Sequence, residues 1–129
     1  MIGIVLLSHG RMAEGMLDSA RLFYGDQLPQ LTWASLTLDM AADVFQDEIK
    51  ARIQEVDAGD GVLILTDLFG GTPCNLAGLM ISDQIQVVSG MNLGMLLEVL
   101  GRRESGDLTM AELAEIGRNG IVVLNDLLG

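Results

Sequence analysis

The fold and the chemistry of this chain are organised around residues 66–75, TDLFGGTPCN. They follow the apolar run 61–65, GVLIL, whose short length and aliphatic content are typical of a strand buried on both faces. Asp67 comes where that strand ends, and Gly70 and Gly71 then allow the backbone to turn sharply. The segment therefore predicts a strand, an acidic residue, a glycine turn and the start of a helix.

The start of this helix favours binding of an anion. Thr72 is the expected N-cap, and Pro73 suits the first helical position because it has no N–H group to leave unpaired. The backbone N–H groups of such a turn point toward one spot, together with the positive end of the helix. We therefore expect Gly70, Gly71 and Thr72 to bind a phosphoryl group.

A second strand brings the candidate reactive group to the same place. Residues 2–7 form another apolar run, which leads into Ser8 and His9, the single histidine of the chain. Neighbouring parallel strands lie about 4.8 Å apart, so His9 and Asp67 are expected to lie together at the carboxyl edge of the sheet. A carboxylate that accepts Nδ1–H leaves Nε2 unprotonated and nucleophilic. We therefore predict that Asp67 orients His9 and that Nε2 is the attacking atom.

Strand and helix patterns alternate along the chain. The patterns predict strands at 2–7, 31–37, 61–65, 84–89 and 121–124, and helices at 12–24, from about 39 to 56, at 73–81, at 93–100 and from 109 to about 117. Such alternation implies an α/β fold with a doubly wound, mainly parallel sheet and helices on both faces. With strand order 2-1-3-4, the winding direction reverses between the first and third strands, where ligands bind in such sheets.

Local patterns add detail to three of these helices. Asp39 is the expected cap of the second helix, and Thr109 with Glu112 matches a capping box. The helix at 73–81 is nearly uncharged and is expected to be well buried. The expected buried face of the first helix comprises Met12, Met16, Ala20 and Phe23.

The composition limits the class of protein. Residues 1–129 are enough for a single domain with a hydrophobic core. The formal charge of −11, with Lys50 the single lysine, argues against nucleic acid or anionic membranes and favours a partner with a basic face. No apolar run approaches the roughly 20 residues that span a bilayer, so we expect no membrane insertion. A single cysteine, Cys74, excludes an internal disulfide and fits a reducing cytoplasm.

Other chemistries are less well supported. Cys74, which follows a proline on an apolar helix, is more typical of a small packed residue than of a nucleophile. Ser8 points to the face opposite His9, and no nucleophile-elbow motif accompanies it. The chain lacks nucleotide-binding glycine motifs and any cluster with metal-ligand spacing, so we expect neither cofactor nor metal. Arg11 and Asn75 are candidates for contact with the phosphoryl group or with a partner.

The quoted residues also carry a family resemblance. The segments IVLLSHG (4–10), AE (13–14), D-x-x-G-G-T-P-x-N (67–75), G-x-N (90–92) and ML (95–96) resemble the IIA domain of the mannose-family sugar phosphotransferase system. The match covers essentially the whole chain, and its two separated main motifs have the correct spacing.

This resemblance implies a cytoplasmic phosphocarrier. The histidine phosphocarrier protein would phosphorylate His9, which would pass the group to a IIB component during uptake of a hexose or related sugar. In the family the acid that matches Asp67 orients the histidine, and the turn that matches 70–72 receives the phosphoryl group. The family fold adds a C-terminal antiparallel strand exchanged across a homodimer, and 121–124 would be its counterpart. The chain is too short for a IIB domain, so we expect IIB on a separate polypeptide.

Two departures and two alternative functions accompany the resemblance. Gly94 stands where family members often carry proline, and the family position that matches Arg11 varies. A phosphoryl-donor subunit for dihydroxyacetone kinase has a similar fold, although its turn motif matches less well. A non-catalytic regulatory or phosphometabolite-binding module is the alternative from a different class, and a hydrolase that uses Cys74 or Ser8 is the weakest candidate.

Overall fold

The computed structural model describes all residues, 1–129. In chain order the elements are β1 (Gly3–His9), α1 (Met12–Tyr24), β2 (Leu31–Leu36), α2 (Ala42–Val56), β3 (Val62–Thr66), α3 (Thr72–Gly78), β4 (Ile85–Ser89), α4 (Leu93–Arg102), α5 (Met110–Asn119) and α6 (Leu124–Leu128). None of the helices combines the length and the apolar character that crossing a bilayer requires.

The four strands form one parallel sheet in the order β2-β1-β3-β4. This confirms the predicted fold class and strand order. The central strands β1 and β3 are buried along their length except at His9, as continuous apolar runs require when helices cover both faces. The winding reversal therefore lies between β1 and β3, and both strands end at the same edge.

Helices pack on both faces of the sheet, because successive strand residues point to opposite sides. One face packs against α1, α4 and α5, and the other packs against α2 and α3. The strand residues on the first face include Ile4, Leu6, Leu63 and Leu65, and those on the second include Val5, Leu7, Val62 and Ile64. His9 continues the alternation of Val5 and Leu7, so it lies on the side of α2 and α3.

The bounds of α1 are as predicted, but its buried face is not. Met12 and Phe23 are exposed, so the prediction for these two residues is wrong. The helix presents a neighbouring stripe at spacing i, i+3, i+4, i+7, which shares only two members with the predicted face. That stripe comprises Ala13, Met16, Leu17 and Ala20.

Two of the three helix caps predicted from the sequence are not formed. α2 begins three residues after Asp39, so that side chain does not cap it. Gly71 is the N-cap of α3 and has an extended backbone, so Thr72 is the first helical residue and forms no side-chain cap. At α5, Thr109 Oγ1 accepts the Glu112 N–H at 3.1 Å as predicted. The Glu112 carboxylate returns to the threonine hydroxyl at 3.2 Å rather than to its amide.

The helix α3 is shorter and less buried than predicted. Only Pro73 and Ala77, one turn apart, are fully buried, and the helix ends at Gly78. Leu79 and Ile81 are consequently exposed beyond its end. The prediction of a well-buried helix reaching residue 81 is therefore wrong.

The predicted C-terminal strand at 121–124 is not formed within the single chain. Residues 121–123 have no regular structure, and α6 begins at Leu124. A strand needs a neighbouring strand to receive its hydrogen bonds, and this segment pairs with none of the four strands. Ile121 and Val123 are exposed as a result.

Candidate functional site

The ends of β1 and β3 bring the two predicted reactive side chains together. The register of these strands pairs Leu7 with Thr66, which places His9 and Asp67 just beyond the last pair. The ladder continues one step further, because the Asp67 N–H donates to Leu7 O at 3.2 Å. Both side chains therefore lie at the carboxyl edge, as the sequence predicts.

Asp67 holds His9 by its backbone and by its ring. Oδ2 of Asp67 lies 2.9 Å from His9 Nδ1 and also accepts the His9 backbone N–H at 2.9 Å. The other oxygen, Oδ1, accepts the Leu68 N–H at 2.9 Å. A carboxylate can only accept hydrogen bonds, so this contact assigns the proton of a neutral imidazole to Nδ1 and the lone pair to Nε2.

The two side chains differ in their access to solvent. The side chain of His9 is 45% exposed, whereas that of Asp67 is only 10% exposed. The carboxylate is thus shielded behind the ring that it orients. A group that approaches from solvent meets the imidazole first.

The glycine turn lies against the other side of the imidazole. A Cβ atom at Gly71 would come within 2.6 Å of His9 Cε1 and 3.2 Å of Nε2, so only glycine permits this approach. Gly70 has φ of +84°, which other residues rarely adopt. His9 therefore lies between the Asp67 carboxylate on its Nδ1 side and the Gly71 backbone on its Nε2 side.

Backbone amides of this turn are free to bind a ligand. The N–H groups of Gly71 and Thr72 have no hydrogen-bond acceptor within the chain. Thr72 is exposed, so its hydroxyl is also accessible. Of the predicted phosphoryl-binding residues, Gly71 lies against the imidazole, and Gly70 and Thr72 flank it in the chain. The helix that follows has only seven residues.

Asn75 and Arg11 are less directly connected to His9. Asn75 Nδ2 donates to Gly70 O at 3.1 Å, so it contacts the turn and not the imidazole. Arg11 is 87% exposed in its side chain and pairs with Glu14 at 3.4 Å. Neither residue forms a hydrogen bond with His9 or Asp67.

The surroundings of the two alternative nucleophiles, Ser8 and Cys74, are those of structural residues. Ser8 is fully buried, and its Oγ accepts the Ala13 N–H at 2.8 Å and donates to Gly10 O at 3.0 Å. It therefore stabilises the turn between β1 and α1, a role that the sequence patterns did not predict. Cys74 is a half-buried free thiol.

The loop after Asp67 carries an exposed apolar surface that the sequence patterns did not predict. Leu68 and Phe69 follow Asp67 in the loop, and both are exposed, Phe69 by 83%. The signal was two large apolar residues placed after the end of a buried strand and before two glycines. Two cavities of about 510 Å³ and 430 Å³ are lined by neither His9 nor Asp67, and the His9 side chain is 45% exposed.

Comparison with known proteins relates this chain to sugar phosphotransferase components. Residues 3–116 match the EIIA-man family model, described as "PTS system fructose IIA component". The chain is 33% identical over 128 residues to the "PTS system mannose-specific EIIAB component" of Escherichia coli (strain K12). That alignment covers 95% of this chain but 39% of the relative, so the chain spans about two fifths of that protein's length.

Solved structures show the same similarity over nearly the whole chain. The PTS IIA protein associated with the fucose utilization operon of Streptococcus pneumoniae superimposes with a TM-score of 0.90 and 27% identity, covering 98% of this chain and 96% of that one. The mannose/sorbose specific IIA subunit from Enterococcus faecalis has a TM-score of 0.82 and 35% identity, covering 95% and 93%.

Proposed function

Since the chain belongs to the IIA component family of the mannose-type sugar phosphotransferase system, we propose that it is a phosphocarrier. Residues 1–129 act as one IIA domain, which accepts a phosphoryl group on His9 from the histidine phosphocarrier protein. In the cytoplasm, the domain then passes the group to a IIB component during sugar uptake. The observation that carries this proposal is the 2.9 Å contact between His9 Nδ1 and Asp67, which leaves Nε2 beside the Gly71 backbone.

The transfer is a displacement at phosphorus. The lone pair of His9 Nε2 forms a new N–P bond while the N–P bond to the donor histidine breaks, and the electron pair returns to the donor ring. Nδ1 keeps its proton, and the positive charge that develops on the imidazole is stabilised by the Asp67 carboxylate. In the second step the acceptor on IIB attacks phosphorus, and the electron pair returns to Nε2 of His9.

The glycine turn supports the reaction on the phosphoryl side. The free N–H groups of Gly71 and Thr72, with the Thr72 hydroxyl, donate hydrogen bonds to the oxygens of the transferring group. Because α3 has only seven residues, these individual donors, rather than the helix dipole, supply the stabilisation.

The surface around His9 suits transfer between two proteins. The imidazole is half-exposed, and the loop that follows Asp67 presents the exposed apolar side chains of Leu68 and Phe69. A partner with a complementary apolar face would exclude water from the phosphoryl group as it docks. Arg11, exposed two residues after His9, is placed to contact such a partner or the phosphoryl group.

The chain works as a homodimer in this proposal. The tail 121–128 exposes several large apolar side chains, and β4 lies at an open edge of the sheet. Pairing of residues 121–124 as an antiparallel strand with a second copy would satisfy both features, because the strand would gain the neighbour that its own chain does not provide.

The decisive experiment is phosphorylation with phosphoenolpyruvate, enzyme I and the histidine phosphocarrier protein. We expect acid-labile, base-stable phosphate on the chain, no label on His9→Ala, and labelling of Asp67→Asn slowed by about 100-fold through misorientation of the ring. Circular dichroism serves as the folding control for both variants.

Three outcomes would count against parts of this proposal. A folded wild-type chain that takes no label would favour the binding module. Wild-type rates in Asp67→Asn would remove its orienting role. Onward transfer of the label to a dihydroxyacetone kinase subunit, rather than to IIB, would reassign the pathway.

A further inference from the structure

Asn75 makes two hydrogen bonds to the glycine turn. Its side-chain Nδ2 donates to Gly70 O at 3.1 Å, and its backbone N–H donates to Gly71 O at 2.9 Å. One residue therefore holds two consecutive carbonyl groups. The Asn75 side chain is itself exposed, so it contributes nothing to the hydrophobic core.

These two bonds determine where the free amides point. A trans peptide unit is planar, so its C=O and its N–H point in opposite directions. The Gly70 carbonyl shares a peptide unit with the Gly71 N–H, and the Gly71 carbonyl shares one with the Thr72 N–H. Fixing both carbonyls therefore fixes the directions of the two N–H groups that have no acceptor within the chain.

We propose that Asn75 is a positioning residue, which holds the Gly71 and Thr72 amides ready for the phosphoryl group on His9 Nε2. A Cβ atom built on Gly71 would lie 2.6 Å from Cε1 and 3.2 Å from Nε2 of that ring, so the Gly71 backbone is close to the reacting atom, and Thr72 is the next residue. A turn of two glycines has an unusually mobile backbone, and Gly70 has φ of +84°. Without the side-chain bond, the 70–71 peptide unit would have to be ordered during each transfer. This role depends on the phosphocarrier function proposed above.

The test compares phosphoryl transfer to Asn75→Ala and Asn75→Asp. Aspartate keeps the size of asparagine but has no N–H group to donate. Asn119→Ala is the matched control, since Asn119 is also exposed at a helix position and its side chain forms no hydrogen bond. Initial rates at several concentrations of the phosphorylated donor protein separate kcat from KM, and thermal unfolding measures stability.

We expect kcat to fall about 10- to 100-fold in both Asn75 variants, because misplaced donors stabilise the transition state less. KM for the donor protein is expected to stay within about twofold, since the proposed role of Asn75 is to hold the turn and not to contact the donor protein. The melting temperature should shift by no more than about 3 °C, and Asn119→Ala should match the wild type in every measurement.

Other results would overturn the role. Wild-type kcat in both variants, or in Asn75→Asp alone, would show that the donated hydrogen bond is unnecessary. A raised KM with unchanged kcat would make Asn75 a docking residue instead. If the wild-type chain is never labelled, the phosphocarrier function fails and this role fails with it. If the wild type is labelled and the Asn75 variants are labelled equally fast, the positioning role fails while the phosphocarrier function stands.

Discussion

Three N–H groups converge on the Asp67 carboxylate, and each restricts its orientation. They are the backbone and ring donors of His9 and the backbone donor of Leu68. Because the residue that accepts the ring proton also binds the backbone of the same histidine, the ring and the strand end move as one unit. Besides these hydrogen bonds, the close approach of Gly71 to the ring sets the position of Nε2.

Gly71→Ala tests that contact with one added methyl group. The new Cβ would lie 2.6 Å from His9 Cε1, so the ring must move away. Because the ring is the end of a half-exposed side chain, we expect the free energy of unfolding to change by less than about 1 kcal/mol. The labelling rate is expected to fall about 100-fold, because Nε2 no longer lies where the donors converge.

The matched control for this variant is Gly78→Ala. Gly78 lies in the same helix with open space around its Cα, so alanine there should keep the wild-type labelling rate and stabilise the helix by about 0.5 to 1 kcal/mol. Labelling of Gly71→Ala at the wild-type rate would show that the ring does not need its observed place.

At the scale of elements, Arg103 ties the end of α4 to the start of the sheet. Its guanidinium is almost fully buried and donates to the carbonyls of Ile2, Pro29 and Gln30, at the amino ends of β1 and β2. Burial lowers the pKa of this guanidinium, yet the three carbonyl contacts supply acceptors for its donors. Arg103 thus joins α4 to the amino ends of β1 and β2, at the opposite edge of the sheet from His9.

The loop between α4 and α5 is held by charges that depend on pH. A hydrogen bond from Ser105, together with Arg102, lowers the pKa of the Asp107 carboxyl below its usual range. A lowered pKa means that the contribution to stability is present above the unfolded-state pKa, about 3.9, and is lost as pH falls through the folded value. The pH dependence that Asp107 causes is therefore confined to the acidic limb of the stability curve, and its contribution to stability is present in full at higher pH.

Asp107→Asn is expected to remove this acid sensitivity from the loop. Melting temperatures measured from pH 6 down to about pH 2 should show the wild type above the variant at neutral pH, with the two curves converging in acid. Asp126→Asn, which changes an exposed carboxylate on α6 that forms no ion pair, is the control and should follow the wild type. A constant difference between wild type and Asp107→Asn at every pH would contradict the assignment.

At the scale of the whole molecule, a single chain has an open edge on its sheet and an exposed apolar tail. β4 is only partly buried and has no neighbour on its outer side, while the apolar residues of 121–128 extend into solvent. A net charge of −11 would oppose association of two copies unless such apolar surface were buried between them. The same charge would speed encounter with a partner that has a basic face, most strongly at low salt.

Removal of residues 121–129 is expected to convert a dimer into a monomer. Sedimentation or light scattering should give the full chain twice the mass of one copy and the shortened chain a single mass, because the strand that completes the open edge is gone. The double variant Ile121→Asp with Val123→Asp should behave like the shortened chain. Leu38→Ser, which changes an exposed leucine away from the tail, is the control and should remain dimeric. A monomeric full chain would refute the strand exchange.

The sequence alone determined the sheet and the meeting of His9 with Asp67. Buried strands leave continuous apolar runs, and parallel strands that neighbour one another must end at one edge, so residue patterns are sufficient for both conclusions. The helix bounds at 12–24 followed from the same kind of local periodicity. These features depend on interactions within short segments or on topology rules with few exceptions.

Only the tertiary structure decided how the site is assembled around that pair. The approach of Gly71 to the imidazole, the hold of Asn75 on the turn and the shift of the α3 cap by one residue depend on distances between segments. The strand predicted at 121–124 is not formed within the single chain, for the same reason. A helix satisfies its hydrogen bonds within its own segment, whereas a strand requires an edge supplied by another segment, and no pattern within 121–124 reveals whether that edge is present.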